Sequence, residues 1–128
     1  MSESYLLDTN AIIAMMNSNP KIAPILLGAT IYLPLIGTGE LYFGAQNSAR
    51  IAENLKRVEE VRVKYTVLDC NYETARLYGE ISAGLSKKGR PIQQNDIWIA
   101  ALALQYDLTV LTQDKGFEYI DTLKRKTW

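Results

Sequence analysis

Histidine is absent from the 128 residues, so no imidazole is available as a base or a metal ligand. Hydrolytic chemistry would have to run on carboxylates, hydroxyls or a metal. Cysteine occurs once, as Cys70, which excludes an intramolecular disulfide and leaves a thiol without the histidine that a Cys-His nucleophile requires. A reduced, cytoplasmic setting is the simplest expectation. Net charge is missing too: 14 Lys and Arg balance 14 Asp and Glu, so no global basic field advertises nucleic acid. No apolar run approaches the ~18 residues that span a bilayer, and no signal-peptide pattern opens the chain, so a soluble protein is expected. What the chain does have is 48% hydrophobic residues, enough for a single domain over residues 1–128 to bury a core without cross-links.

The stretch around which the rest is organised is Tyr5-Leu6-Leu7-Asp8-Thr9-Asn10, a short apolar run that stops on an acid and two small polar residues. It reads as a buried first strand carrying a carboxylate at its C-terminal end. In an open parallel sheet that end faces the crevice where ligands bind, although Asp8 would serve equally well as the cap of the helix predicted to begin near Asn10. Pro20 reads as the first residue of a second helix capped by Asn19 and stopped by Gly28. Thr30–Pro34 is β-branched and aromatic enough for a second strand. Beyond it come Gly37-Thr38-Gly39 and then Glu40, in what reads as the first turn of a helix running to Gln46.

From Ser48 to Arg62 the apolar residues Ile51, Leu55, Val58 and Val61 share one face, which predicts an amphipathic hairpin partner for the Glu40 helix. A third strand over 64–68 ends on Asp69, here taken as a cap or turn residue. The helix after it, from about Asn71 to Lys88, is predicted to pack through Ala75, Tyr78, Ile81 and Leu85 and to close on Gly89. Gln93 to Tyr106 is apolar on nearly all sides, which marks a central helix, with Asp96 as its polar exception in the first turn. A fourth strand, Leu108–Leu111, leads into Thr112-Gln113-Asp114. Alternating strands and helices argue for an α/β fold with a parallel sheet covered on both faces.

Asp8, Glu40, Asp96 and Asp114 would therefore converge at one sheet edge with no lysine assigned among them. Carboxylates so crowded raise one another's pKa unless a hard cation neutralises them, and oxygen-only ligation suits Mg²⁺ or Mn²⁺. Such an ion can acidify a bound water and offset charge at a phosphorus, which suits phosphodiester hydrolysis.

Four segments carry a more specific signal: Leu7-Asp8-Thr9-Asn10, Gly39-Glu40-Leu41-Tyr42-Phe43-Gly44-Ala45, Asn95-Asp96-Ile97-Trp98-Ile99-Ala100-Ala101, and Leu111-Thr112-Gln113-Asp114 with Phe117. In this order and spacing they resemble the PIN-domain family, and within it the VapC-type ribonuclease toxins of toxin–antitoxin pairs. The resemblance covers nearly the whole chain. It implies a three-layer α/β/α sandwich with a central, mostly parallel sheet, and a Mg²⁺-dependent endoribonuclease with Asp8, Glu40, Asp96 and Asp114 as its acidic pocket. Asp8 and Asp96 match the metal-binding positions, and Asn10 and Thr112 match polar positions that support the pocket. A cognate antitoxin and an RNA substrate follow from the same resemblance, while exposed apolar residues on the Glu40 helix would suit a homodimer. Two features depart from the family pattern: Lys115-Gly116 before Phe117, where a histidine is common, and Gly37-Thr38-Gly39 ahead of Glu40.

Other readings compete with the toxin. One is a PIN-like ribonuclease of RNA processing without an antitoxin, and another a PIN-like module that binds without cutting, against which the four acids speak. A phosphoacceptor signalling module shares the sheet architecture, but it would need an acidic pair near the first strand and a suitable lysine near the last. Trp98 is expected in the core, and Lys87, Lys88 and Arg90 are as well explained by a helix C-terminus as by RNA contact.

Overall fold

The computed structural model describes residues 3–128. β1 (Ser4–Leu7) owes its place to three consecutive buried side chains, Tyr5, Leu6 and Leu7, the pattern of a strand covered on both faces. It lies at the centre of a five-stranded sheet, flanked by β2 (Thr30–Pro34) and then β3 (Thr66–Leu68) on one side. On the other side lie β4 (Thr109–Leu111) and β5 (Arg125–Lys126). Every neighbouring pair is parallel, and Leu6 sits opposite Tyr32 on β2 and Val110 on β4.

The period of two along these strands separates two cores. Leu6 and Val110, with Tyr32 and Leu68, pack against α5 (Tyr72–Lys87) and α6 (Gln94–Gln105). Tyr5, Leu7, Leu33 and Leu111 point the other way, against α1 (Thr9–Met16), α3 (Leu35–Gln46) and α4 (Ile51–Lys64), with Ile22 ahead of the short α2 (Ala23–Leu26). The result is an α/β/α sandwich. α6 is its most deeply set helix, with Ile99, Ala100, Ala101 and Leu102 fully buried, which accounts for a sequence apolar on nearly all sides. Fully burying one leucine such as Leu6 contributes roughly 1.5–3 kcal/mol, and truncating it to alanine costs about 2–5 kcal/mol. Among the described residues no helix is long and apolar enough to cross a membrane.

Several local expectations are corrected. α3 begins at Leu35 rather than near Leu41, so Gly37-Thr38-Gly39 are helical and Glu40 lies in mid-helix. The close approach of α1 explains the first glycine: a Cβ on Gly37 would stand 3.2 Å from Ile12 Cδ1 and 3.1 Å from Pro34 Cγ. Pro20 opens a turn, not a helix, because the Asn19 side chain accepts the Lys21 N–H, and the helix waits until Ala23 with Pro24 in its first turn. Helix α4 runs on to Lys64, which shortens β3. On α5 the buried positions are Thr74, Ile81 and Leu85, while Ala75 faces solvent. The fifth strand was not predicted: it is two charged residues held by backbone bonds, with the Val110 N–H donating to Lys124 O and the Thr112 N–H to Lys126 O, both at 2.9 Å.

Candidate active site

The sheet register places residues 8 and 112 side by side just past the C-terminal ends of β1 and β4, since Leu7 is paired with Leu111. Asp8 is 5% exposed and both of its oxygens are held. Oδ1 accepts the Ala11 N–H at 2.9 Å, which makes Asp8 the N-cap of α1, and Oδ2 accepts the hydroxyl of buried Thr112. Capping and site geometry are thus one arrangement. Thr112 Oγ1 in turn accepts the Asp114 N–H at 2.9 Å, and Asp114 Oδ1 accepts the Gly116 N–H at 2.8 Å. On the other flank the Thr9 hydroxyl donates to Glu40 Oε1 at 2.9 Å, tying α3 to the residue after Asp8.

Asp96, in the first turn of α6, shares an open cleft with Asp114, Asn10, Gln93, Ile92 and Gly116. The structure therefore brings all four predicted acids to one edge of the sheet, with Thr112 joining Asp8 to Asp114 and Thr9 holding Glu40. Burial raises the Asp8 pKa; the Thr112 and Ala11 hydrogen bonds oppose the rise and the charges of Asp114 and Glu40 add to it. Asp96 is pushed up to about 7, first by burial, then by the charge of Asp114 and a hydrogen bond shared with it, and then by Asp8 and Glu40.

Asn10 lines the cleft from an exposed position but makes no side-chain hydrogen bond to the acids, unlike Thr112. Thr9 and Gly116 were given no role by the sequence reading. The signal for Thr9 was its place beside Asp8 in Leu-Asp-Thr-Asn; for Gly116 it was the departure from the family pattern, because a Cβ there would lie 2.9 Å from Ile92 Cγ2 and 3.2 Å from Asp114 Oδ1. Asp69 stays outside the group: it accepts the Cys70 N–H, and Asn71 caps α5 through a reciprocal pair with Thr74. Trp98 stacks on Tyr78, ring centroids 4.2 Å apart. Lys88 donates to Tyr119 O and pairs with Asp121, and Arg90 lies over the Tyr119 ring, so both tether the segment after Asp114.

Among the described residues no three acids are closed into a ready-made metal cage. The donor set nonetheless fits a hard divalent cation: it is oxygen-only, and neighbouring carboxylates raise the pKa of both Asp8 and Asp96, a repulsion that such a cation would relieve.

A parallel sheet covered by helices on both faces, with acids gathered past its C-terminal strand ends, places the chain in the class of α/β/α sandwich domains. The PIN domain model matches residues 5–123, and the chain belongs to the PIN-domain family, in its VapC branch. It is 33% identical to Ribonuclease VapC1 of Haemophilus influenzae (strain R2866), with 97% of each chain covered. It is 30% identical, again over 97% of each, to the tRNA(fMet)-specific endonuclease VapC of Salmonella typhimurium. Among solved structures it superposes on VapBC-1 from nontypeable Haemophilus influenzae with a TM-score of 0.87, 32% identity and 98% of each chain covered.

Proposed function

We propose that this chain is a metal-dependent endoribonuclease that hydrolyses RNA phosphodiester bonds at the pocket of Asp8, Glu40, Asp96 and Asp114, and that it is the toxin of a toxin–antitoxin pair. The observation that carries the reading is the convergence of these four carboxylates at the sheet edge, where Asp114 and Glu40 raise the pKa of both Asp8 and Asp96. Relatives named ribonucleases, similar over nearly the whole chain, support it.

Asp8 and Asp96 would hold Mg²⁺ or Mn²⁺, which supplies an acidified water and offsets charge at the phosphate. Asp8 needs no reorganisation to do so, because the Thr112 hydroxyl and the Ala11 amide fix both of its oxygens. Thr9 occupies Glu40 Oε1 and leaves the other oxygen to receive a proton from the attacking water. Gly116 holds Asp114 against the cleft, where it and Asp96 would help to hold the ion. Thr112 thus acts as a supporting residue, and Asn10 would do so through water.

The antitoxin would occupy an apolar groove of about 200 Å³ between α1, α3 and α4, lined by Ile13, Met16, Leu41, Ala45 and Val58 and ending on Glu40. From there a basic side chain, preferably the bidentate guanidinium of Arg, can reach the acids. Phe43, 72% exposed on α3, suits a homodimer contact. The test is incubation of purified protein with Mg²⁺ and RNA. Cleavage that EDTA stops and that Asp96→Asn abolishes is the expected result; RNA left intact by folded, Mg²⁺-supplied protein would overturn the reading.

A further inference from the structure

The acid pocket poses a problem of approach, since a polyanion must come up to four carboxylates on a protein whose net charge is zero. The surroundings of Asp114 answer it. Two further cavities meet the acid cleft at shared residues. One, open and about 560 Å³, is lined by Asn10, Ala14, Pro20, Lys21, Gln113 and Trp128, and it shares Asn10 with the cleft. The other, about 200 Å³, shares Asp114 with the cleft and Gln113 with the first cavity, and it carries Lys115, Arg125 and Lys126. Arg125 is partly neutralised by Glu118 at 3.9 Å, whereas Lys21, Lys115 and Lys126 take part in none of the ion pairs among the described residues. One half-buried aromatic, Trp128, stands in this path of mixed polar and apolar lining. Its carbonyl is pinned by Gln113 Nε2 at 2.8 Å, and its ring packs on the edge of the core formed by α1 and β1 while also lining the cavity.

We propose that these two cavities form the track of the single-stranded RNA on either side of the scissile phosphate, with Trp128 as the platform on which one flanking base stacks and Lys21, Lys115 and Lys126 as phosphate contacts. The inference rests on the ribonuclease reading and deepens it. Aromatic side chains combined with a basic groove are how single strands are held without base-edge readout. The β5 pairing sets Lys126 beside Thr112, so the strand that sequence periodicity did not reveal brings one of these cations toward the acids.

The test uses the full chain with Mg²⁺ and a labelled, randomised single-stranded RNA 12-mer. Binding is read in the cleavage-deficient Asp96→Asn background by anisotropy, and by the emission of Trp128 in a Trp98→Phe version of it. Turnover is read separately in the otherwise wild-type chain. The expected results are quenching of Trp128 on RNA binding, a KM raised about tenfold by Trp128→Leu with kcat changed by less than about threefold, and recovery of most of that loss in Trp128→Phe, in keeping with stacking effects of this size. Lys21→Gln and Lys126→Gln should each lower the slope of log affinity against log salt by ~0.7, the value for one single-strand phosphate contact. Wild-type protein that cuts no RNA sinks the ribonuclease reading itself. Wild-type protein that cuts, with RNA bound but Trp128 emission, KM and salt slope all unmoved by these changes, overturns the track alone. If Trp128→Leu releases a copurifying protein partner without altering RNA binding, the cavity belongs to that partner and the proposal also falls.

Discussion

Replacing Asp96 with Asn keeps the shape of the side chain and its ability to sit in the first turn of α6 while removing one negative charge. In the metal-free fold Asp96 holds its proton up to about 7, against an ordinary value of 3.8, because burial and the charges of Asp114, Asp8 and Glu40 disfavour its carboxylate. A carboxyl raised on folding contributes stability that is fully present below about 4 and is lost as pH rises through about 7. Three pH units correspond to about 4 kcal/mol at full weight, but Asp96 is only half-buried and solvent screens part of it, so ~1–2 kcal/mol is the working figure. Against this, the ionised acid gains ~0.3–1 kcal/mol from the helix N-terminus. The net expectation is that metal-free Asp96→Asn melts at or up to about 4 °C above wild type at pH 8 and loses the wild type's decline between pH 4 and 7. Melting curves in EDTA across that range, repeated with Mg²⁺, give the readout. Mg²⁺ should raise the wild-type midpoint more than the variant's, because binding to the folded state stabilises by mass action. A variant markedly less stable than wild type in EDTA at pH 8 would show that Asp96 holds the fold rather than the site, and one that still cleaves RNA near the wild-type rate would end the mechanism.

Thr112→Val removes both the hydroxyl that fixes Asp8 Oδ2 and the acceptor of the Asp114 N–H, so RNA cleavage should fall roughly ten- to a hundredfold. A loss as complete as that from an acid variant would mean that Thr112 touches the reacting groups directly. Thr9→Val should act in the same range through Glu40, and the double variant Thr9→Val with Glu40→Gln should be no worse than Glu40→Gln alone. Gly37→Ala should destabilise the fold by about 1–3 kcal/mol in urea titration, since the new methyl meets Ile12 and Pro34 on both sides. Gly116→Ala should cut activity more than stability, because its Cβ pushes on Ile92 and on Asp114 Oδ1 at a half-buried position of the short 3-10 helix over Lys115–Tyr119.

Much of the fold was legible because its signals are local. The three-residue apolar run at Tyr5–Leu7, the β-branched Thr30–Pro34 and the all-round apolar α6 each carry their own period and punctuation. Where neighbours far along the chain decide the outcome, local signals misled. Gly37-Thr38-Gly39 looks like a loop by propensity, and only the approach of Ile12 makes a glycine the residue that fits inside α3. Arg125–Lys126 has no strand propensity at all, and it is a strand because the free edge of β4 offers backbone partners at Val110 and Thr112.

The site divides along the same line. Asp8 and Asp114 after strand ends and Asp96 at a helix start could be placed together from the order of elements alone, because a parallel sheet sends all its C-terminal ends to one side, whereas Glu40 reaches the same edge from the middle of α3 rather than from its expected first turn. Their supports could not, since each is a pairing across the chain: Thr112 reaches Asp8 over 104 positions and Thr9 reaches Glu40 over 31. Nor could the sequence decide whether Asp8 is a cap or a site residue. The geometry accommodates both, because the two oxygens are held from different elements. The amide of α1 that Oδ1 caps and the hydroxyl that Oδ2 accepts approach from two different elements, and between them they fix the carboxylate against rotation. A side chain already immobilised by capping loses little further freedom when it takes a ligand, so under the proposed function the helix start after β1 would lower the entropic cost of binding at the same residue.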